Sequence, residues 1–288
     1  MKISNALFFL LSPVVVVGSC FAQVNEGTPA PPPTYDYDSA VAGTQGPKSP
    51  LVAGYTYRSV RSFQMAVPVF VPLAELQAVL PPGYTPVATP AGSDTATITL
   101  NFFMDQRFQP NAASPTTFGP TSAVLITTTA LNSNLATPRQ EIVFPSFEAS
   151  SDVDQLNAAF GPGSARLAKV NASVIDKKGV KTFKFKIVDK DLDFELMAEA
   201  EIPGNIPNRV MSDPVGLPFR TFNGFELNKA FWAASQADAI VVPAADTKLL
   251  LHAPGDRIVF PTGSVTMKSV GANITFNRNL EFILKFEE

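Results

Sequence analysis

Residues 139–147 read Arg-Gln-Glu-Ile-Val-Phe-Pro-Ser-Phe, a charged start that leads into an apolar run with a proline in it. Strand alternation places Glu141 and Val143 on one face. Two interpretations of Glu141 stay open: a general base whose pKa is raised beside an apolar cavity, or a solvated side chain. Arg139 is either a ligand for a carboxylate or ketone oxygen, or a structural arginine that satisfies backbone carbonyls or pairs with Glu141.

The sequence on both sides of this stretch predicts a mainly β fold. Residues 176–179, Asp-Lys-Lys-Gly, have the composition of a hairpin turn between two alternating runs. Alternation of apolar and polar residues predicts strands over residues 95–103, 180–188, 192–202 and 280–286. Short helices are predicted over residues 73–80, 152–160 and 226–237. We therefore expect residues 55–288 to form one largely antiparallel β domain, a barrel or a curved double sheet.

The N-terminus resembles an export signal. A basic start, an apolar run over residues 6–18 and small residues up to Ala22 predict a signal peptide at residues 1–22. The protein is then secreted, to an extracellular or periplasmic location. Cys20, the single cysteine, offers lipid anchoring as the alternative. Residues 23–54 are rich in Pro, Gly, Ser and Thr and are predicted to be a flexible linker.

Composition excludes several classes of function. The net charge is −3 and only 16% of residues are charged, so nucleic acid is not expected as a partner. No later segment approaches the length of a transmembrane helix. One histidine, His252, and one cysteine leave little support for a zinc site or a Ser-His-Asp triad, and no metal or cofactor is predicted. Asn171 and Asn273 begin glycosylation sequons, which matter only in a eukaryotic secretory route.

The stretch at residues 139–147 resembles the active-site segment of acetoacetate decarboxylases. In that family an arginine precedes an aromatic-Pro pair by five residues, as Arg139 precedes Phe144-Pro145 here. Two lysines follow the proline in the family, and one forms a Schiff base with the β-keto acid. Ser146 and Phe147 occupy those positions and supply no amine. The resemblance implies a cone-shaped, largely antiparallel β-barrel with an internal apolar cavity, and it argues against Schiff-base decarboxylation.

The resemblance also implies a set of ligand-binding residues. An early arginine binds the substrate carboxylate in the family, and Arg61 lies within about one residue of its place, an offset that a β-bulge would have to correct. We expect Arg61 and Arg139 to anchor a carboxylate or carbonyl. The apolar walls of the cavity are predicted to be Phe102, Phe144 and Phe147.

Three classes of function follow. The first is a secreted protein that binds a small, partly apolar carboxylate or keto ligand, with a homo-oligomer as a possible assembly. The second is a carbon–carbon lyase or hydrolase for β-keto or enol substrates, which needs Glu141, Glu148 or Lys169 to point inward. The third is a non-catalytic surface or assembly protein whose phenylalanines fill the cavity.

Overall fold

A computed structural model describes residues 56–109, 121–135, 138–149, 153–204, 209–212 and 219–286. The predicted signal peptide, Cys20 and the linker lie outside these residues.

The described residues form eighteen strands and two short α-helices. In chain order the strands are β1 (Thr56–Pro72), β2 (Thr85–Pro86), β3 (Thr95–Gln109), β4 (Thr121–Leu131), β5 (Arg139–Val143), β6 (Ser146–Glu148), β7 (Ala165–Leu167), β8 (Lys169–Lys177), β9 (Val180–Asp189), β10 (Phe194–Glu201), β11 (Arg209–Ser212), β12 (Phe219–Phe222), β13 (Leu227–Pro243), β14 (Leu250–His252), β15 (Arg257–Phe260), β16 (Gly263–Thr266), β17 (Ser269–Val270) and β18 (Asn273–Phe286). The helices are α1 (Leu73–Val79) and α2 (Val153–Phe160), and two 3-10 helices span Ala244–Thr247 and Pro254–Asp256. None of the helices in the described ranges is long and apolar enough to cross a membrane.

Twelve strands form the main sheet. Its hydrogen-bonded order is β17-β1-β18-β13-β12-β5-β4-β6-β7, with β3 paired to both β1 and β4, β11 to β13 and β2 to β4. A second sheet has the order β14-β10-β9-β8, and β15 and β16 pair as a hairpin. Two pairings, β5 with β12 and β6 with β7, are parallel, and all the others are antiparallel. The predicted mainly β, largely antiparallel class is confirmed.

The predicted barrel is not a regularly closed one. At one junction of the main sheet, β5 meets β12 through only three residue pairs, and they run parallel. Strands β8, β9, β10 and β14 belong to the separate sheet that packs over the main one. A curved double sheet therefore describes the architecture better than a barrel with a continuous antiparallel wall.

The hydrophobic core lies between the two sheets. Phe183 and Phe185 of β9 alternate with lysines and point toward the main sheet. Phe183 lies 4.8 Å from Phe63 of β1, and Phe185 lies 5.2 Å from Phe102 of β3, both measured between ring centroids. The predicted hairpin and the alternation on β9 and β10 are confirmed, because the apolar face of each strand is the face that the core covers.

Two of the three predicted helices are confirmed to within one residue of their bounds. The second, α2, ends at Gly161, whose φ of +105° suits glycine and whose N–H donates to Asn157 O at 2.9 Å. The helix predicted over residues 226–237 is wrong: this segment is part of the long strand β13. Its alanines favour a helix locally, but pairing with β18, β12 and β11 stabilises the extended form.

Candidate functional site

The face of the main sheet that points away from the inter-sheet core carries buried polar side chains. They come from strands distributed across the sheet, and none is more than 3% exposed. We call this set the polar face: Gln64, Thr99, Asn101, Thr127, Glu141, Thr221 and Asn277. Burial of so many polar groups on one face requires that they hydrogen-bond among themselves, to backbone or to a bound molecule.

Strand register brings these residues to one side of the sheet. Directly opposed residues of neighbouring strands share a face. Thr99 lies opposite Thr127, and Gln64 lies opposite Asn277. Gln64 Nε2 donates to Asn101 Oδ1 at 3.2 Å, which links β1 and β3. The burial of all seven side chains shows that this face is covered as well.

Glu141 is the buried acid on the polar face. It is 2% exposed and lies opposite Thr129, whose hydroxyl donates to Glu141 Oε2 at 3.0 Å. Burial raises the pKa of Glu141 to about 8, although the hydroxyls of Thr127 and Thr129 and the charge of Arg139 each lower it in part. The carboxyl is therefore mostly neutral at neutral pH and able to donate a hydrogen bond.

Arg139 begins β5 and shares the face of Glu141. Its side chain is half-buried, and its Nε is fully buried without a hydrogen-bond partner among the described residues. The Thr127 hydroxyl is also buried and unpaired within the described structure. Its oxygen is near enough to affect the Glu141 pKa but does not meet hydrogen-bond geometry. Two unsatisfied polar groups therefore flank Glu141, at a cost of about 1–3 kcal/mol each.

The predicted phenylalanines lie on the other face. Phe102, Phe144 and Phe147 are at most 1% exposed and belong to the core between the sheets. Phe144 packs 4.3 Å from Phe260, and Phe147 packs 4.8 Å from Phe194. The structure thus separates the three rings from Arg139 and Glu141, although they are near neighbours in sequence.

The predicted catalytic residues do not converge. Glu148 is buried on β6 opposite Ala123, whereas Glu141 lies opposite Thr129. These partners are six residues apart on β4, about 20 Å at the rise of a strand. Lys169 begins β8 in the second sheet and is exposed. Glu141 is therefore the only one of the three that lies beside Arg139.

Arg61 lies in the middle of β1. Its backbone pairs with Leu280 of β18 and with Asp105 of β3. The register with β3 shifts on both sides of Arg61. The ligand-binding role predicted for Arg61 stays a prediction.

A second polar cluster, on the opposite side of β5, was not predicted from sequence. Gln140 is buried, and its Oε1 accepts hydrogen bonds from Tyr84 Oη at 2.8 Å and from Arg220 Nε at 3.2 Å. Burial raises the pKa of Tyr84, and the Arg220 charge lowers it in part. The three residues are 56 and 80 positions apart, so no local pattern indicates the cluster. It fixes the start of β5 and hence the backbone at Arg139.

Metal-binding groups are not assembled in the described part of the chain. There, no three His, Cys, Asp or Glu side chains come close enough together to hold a metal ion.

Comparisons with known proteins give likenesses of fold. No family model matches the chain, and no curated protein matches it in sequence. The solved acetoacetate decarboxylase from Legionella pneumophila is similar at 11% identity and a TM-score of 0.49, with 89% of this chain and 96% of that chain covered. The enduracididine biosynthesis enzyme MppR is similar at 13% identity and a TM-score of 0.47, with 85% and 94% covered. A further acetoacetate decarboxylase structure is similar at 10% identity and a TM-score of 0.45, with 88% and 98% covered.

The structural neighbours include the family that residues 139–147 resemble. At these identities and TM-scores the likenesses carry no conclusion about activity.

Proposed function

We propose that the protein binds a small, partly apolar carboxylate or keto acid at the polar face and does so without forming a Schiff base. Arg139 would contact the anionic or carbonyl oxygen, and the neutral carboxyl of Glu141 would donate a second hydrogen bond. The export signal predicted at residues 1–22 would place this binding outside the cytoplasm.

The observation that carries the proposal is the pair of buried, unpaired groups beside Glu141. Arg139 Nε and the Thr127 hydroxyl have no hydrogen-bond partner among the described residues. Because Glu141 is mostly neutral below about pH 8, it does not cancel the charge of Arg139 there. An oxygen-rich anion would satisfy both groups with charge-assisted hydrogen bonds. Arg139 is half-exposed at the start of β5, which gives a ligand an approach to the buried acid.

The lysines support binding without an imine. Every lysine whose side chain the structure describes is exposed or half-exposed, including Lys169. A nucleophilic lysine needs desolvation or a nearby cation to be unprotonated at neutral pH. Ser146, at the position of a family lysine, is buried, and its hydroxyl donates to the backbone oxygen of Ser164 at 3.5 Å.

The burial of Glu141 favours a second candidate function, acid–base catalysis on a β-keto or enol substrate. A carboxyl with a pKa near neutrality transfers protons efficiently at physiological pH. Glu148 and Lys169 do not lie near enough to assist it, so Glu141 would act alone with Arg139 as the anion ligand.

Arg139→Ala is expected to weaken the binding of acetoacetate and ketoisocaproate by about 1.5–3 kcal/mol, the value of a hydrogen bond to a charged group. Titration calorimetry on the wild-type protein and the variant measures the loss. Arg257→Ala, which removes an exposed arginine far along the chain, is the control and should leave affinity unchanged.

Methyl esters of the two acids complete the titrations. They lack the charge and should bind the wild type about as weakly as the acids bind Arg139→Ala. If Arg139→Ala and Arg257→Ala bound the acids with equal affinity, Arg139 would not be part of the binding site. Consumption of acetoacetate that Glu141→Gln abolishes would favour the catalytic function over simple binding.

Borohydride treatment in the presence of acetoacetate is expected to leave no covalent adduct on the protein, because an imine requires an unprotonated amine at the site. Intact-mass spectrometry measures the adduct. A stable adduct that maps to a lysine, Lys169 above all, would contradict the absence of Schiff-base chemistry while leaving the Arg139 result intact.

A further inference from the structure

A cavity of about 600 Å³ opens at one end of the inter-sheet core. The tip of the β8–β9 hairpin and the end of β10 lie against β1, β3 and β13 there. Its surface is largely apolar, with Phe63, Met104, Val174, Val180, Ile202 and Val242 among the lining residues. The volume falls within the range typical of small-molecule sites. The cavity belongs to the opposite face of the main sheet from Glu141, so it is separate from the site proposed above.

The floor of the cavity is apolar. Phe63 is 4% exposed and packs against Phe183 at 4.8 Å and Phe276 at 5.9 Å. Val180 and Val174 on the hairpin are 46% and 43% exposed, which is unusual for β-branched side chains beside a core. An aliphatic group that entered here would cover Val174, which lies opposite Phe183, and add its area to an existing apolar surface.

The mouth of the cavity is charged, and Lys181 is its cation. Lys181 shares the face of Phe183 and Phe185 by alternation along β9, so its stem runs toward the cavity. It makes no ion pair with any residue that the structure describes. Glu201, also at the mouth, is already paired with Lys248 at 2.6 Å. Asp246 adds one negative charge at the rim.

Lys181 lies directly opposite Asp176 of β8, but the two side chains make no ion pair among the described residues. The Asp176 carboxylate instead accepts from the N–H of Gly179 at 3.2 Å. A cation beside an apolar opening selects a molecule with an anionic head and an apolar body.

We propose that this cavity binds an amphiphile with an aliphatic chain and an anionic head group. The chain lies against Phe63, Met104 and Val242, and the head group contacts Lys181. Each buried methylene contributes about 0.8 kcal/mol, so affinity rises with chain length until the chain fills the cavity.

Calorimetric titration of the full-length protein with sodium octanoate, decanoate and dodecanoate tests this site. Decanoate is expected to bind more tightly than octanoate and more tightly than decanol. Lys181→Gln should weaken decanoate binding about twofold to fivefold, the range for an ion pair at an exposed site, and leave decanol unchanged. Lys177→Gln removes the same charge from the same hairpin on the face that points away, and it should have no effect.

Val174→Trp provides a test that does not depend on charge. Val174 is 43% exposed and lies opposite Phe183 on the cavity side of the hairpin, so the indole fills the opening without disturbing the core, and binding of both decanoate and decanol should be lost. An unchanged melting temperature establishes that the variant is folded.

Three outcomes would overturn the proposal. The first is no decanoate binding at concentrations up to about 1 mM, where even weak specific sites fill. The second is decanoate binding that Val174→Trp does not affect. The third is tighter binding of decyltrimethylammonium than of decanoate. That result would mean that the mouth binds a cationic head group through Asp246. Arg139→Ala should not alter decanoate binding, so a failure here leaves the keto-acid site untouched.

Discussion

Phe147→Ala is expected to lower the free energy of unfolding by about 3–5 kcal/mol, the usual cost of removing a buried aromatic ring. The ring is 1% exposed and packs against Phe194 of the second sheet at 4.8 Å between centroids. Because both sheets contribute to its surroundings, neither can move into the space without losing contacts elsewhere, and a cavity remains. Urea denaturation followed by fluorescence or circular dichroism measures the change.

Phe225→Ala is the control for this substitution. Phe225 is 67% exposed, so its removal should change stability by less than about 0.5 kcal/mol. A loss below about 1 kcal/mol for Phe147→Ala would contradict its place in the core. Phe147→Leu keeps most of the volume and should leave keto-acid affinity at the wild-type value, because the ring and Arg139 lie on opposite faces of the sheet.

The core between the two sheets could be predicted because apolar and polar residues alternate along its strands. On β9, Phe183, Phe185 and Ile187 alternate with lysines. The strand is therefore expected to bury its phenylalanine face and to expose its lysine face to solvent. The turn at residues 176–179 sets the register of this hairpin. The local sequence is therefore sufficient to predict that one face of each of these strands packs against an apolar core.

The covered polar face could not be predicted in the same way. Alternation on β5 correctly places Glu141 with Val143, but both faces of β5 are buried, so the pattern does not say what covers each one. The residues that meet on this face come from strands that are distant in sequence: Gln64 of β1 pairs with Asn277 of β18, from opposite ends of the described chain. The family resemblance groups Phe144 and Phe147 with Arg139 in one cavity, whereas strand geometry places the rings in the inter-sheet core and Arg139 on the other face.

Residues 226–237 are an instance of tertiary structure overriding local preference. Alanines at positions 230, 233, 234 and 237 favour a helix, and nothing in the segment itself opposes it. In the structure β13 is flanked by β18 along most of its length, and the hydrogen bonds of that ladder exceed the small difference in local propensity.

Glu141→Gln is expected to abolish a large pH dependence of stability. In the unfolded chain the carboxyl has its ordinary pKa of 4.5, and in the folded protein burial raises the pKa to about 8. Between these values the unfolded chain releases the proton and the folded protein retains it. The unfolded state then binds fewer protons, so the free energy of unfolding of the wild type falls as pH rises through this window.

Outside the window the contribution of Glu141 is constant. Below about pH 4.5 both states are protonated, and above about pH 8 both are ionised, so the slope vanishes at each end. The total loss across the window is on the order of 5 kcal/mol, at about 1.4 kcal/mol for each unit of pKa difference. A glutamine stays neutral throughout and can retain the hydrogen bond from Thr129 through its amide oxygen.

Urea denaturation of the wild type and Glu141→Gln at about pH 5, 7 and 9 measures the difference. The two proteins should be within about 1 kcal/mol of each other at the lowest pH, and the variant should be the more stable by several kcal/mol at the highest. Glu226→Gln, which neutralises an exposed carboxylate, is the control and should follow the wild type. A wild-type protein whose stability does not fall between pH 5 and pH 9 relative to Glu141→Gln would show that this carboxyl ionises normally. The neutral hydrogen-bond donor on which the keto-acid site depends would then be absent.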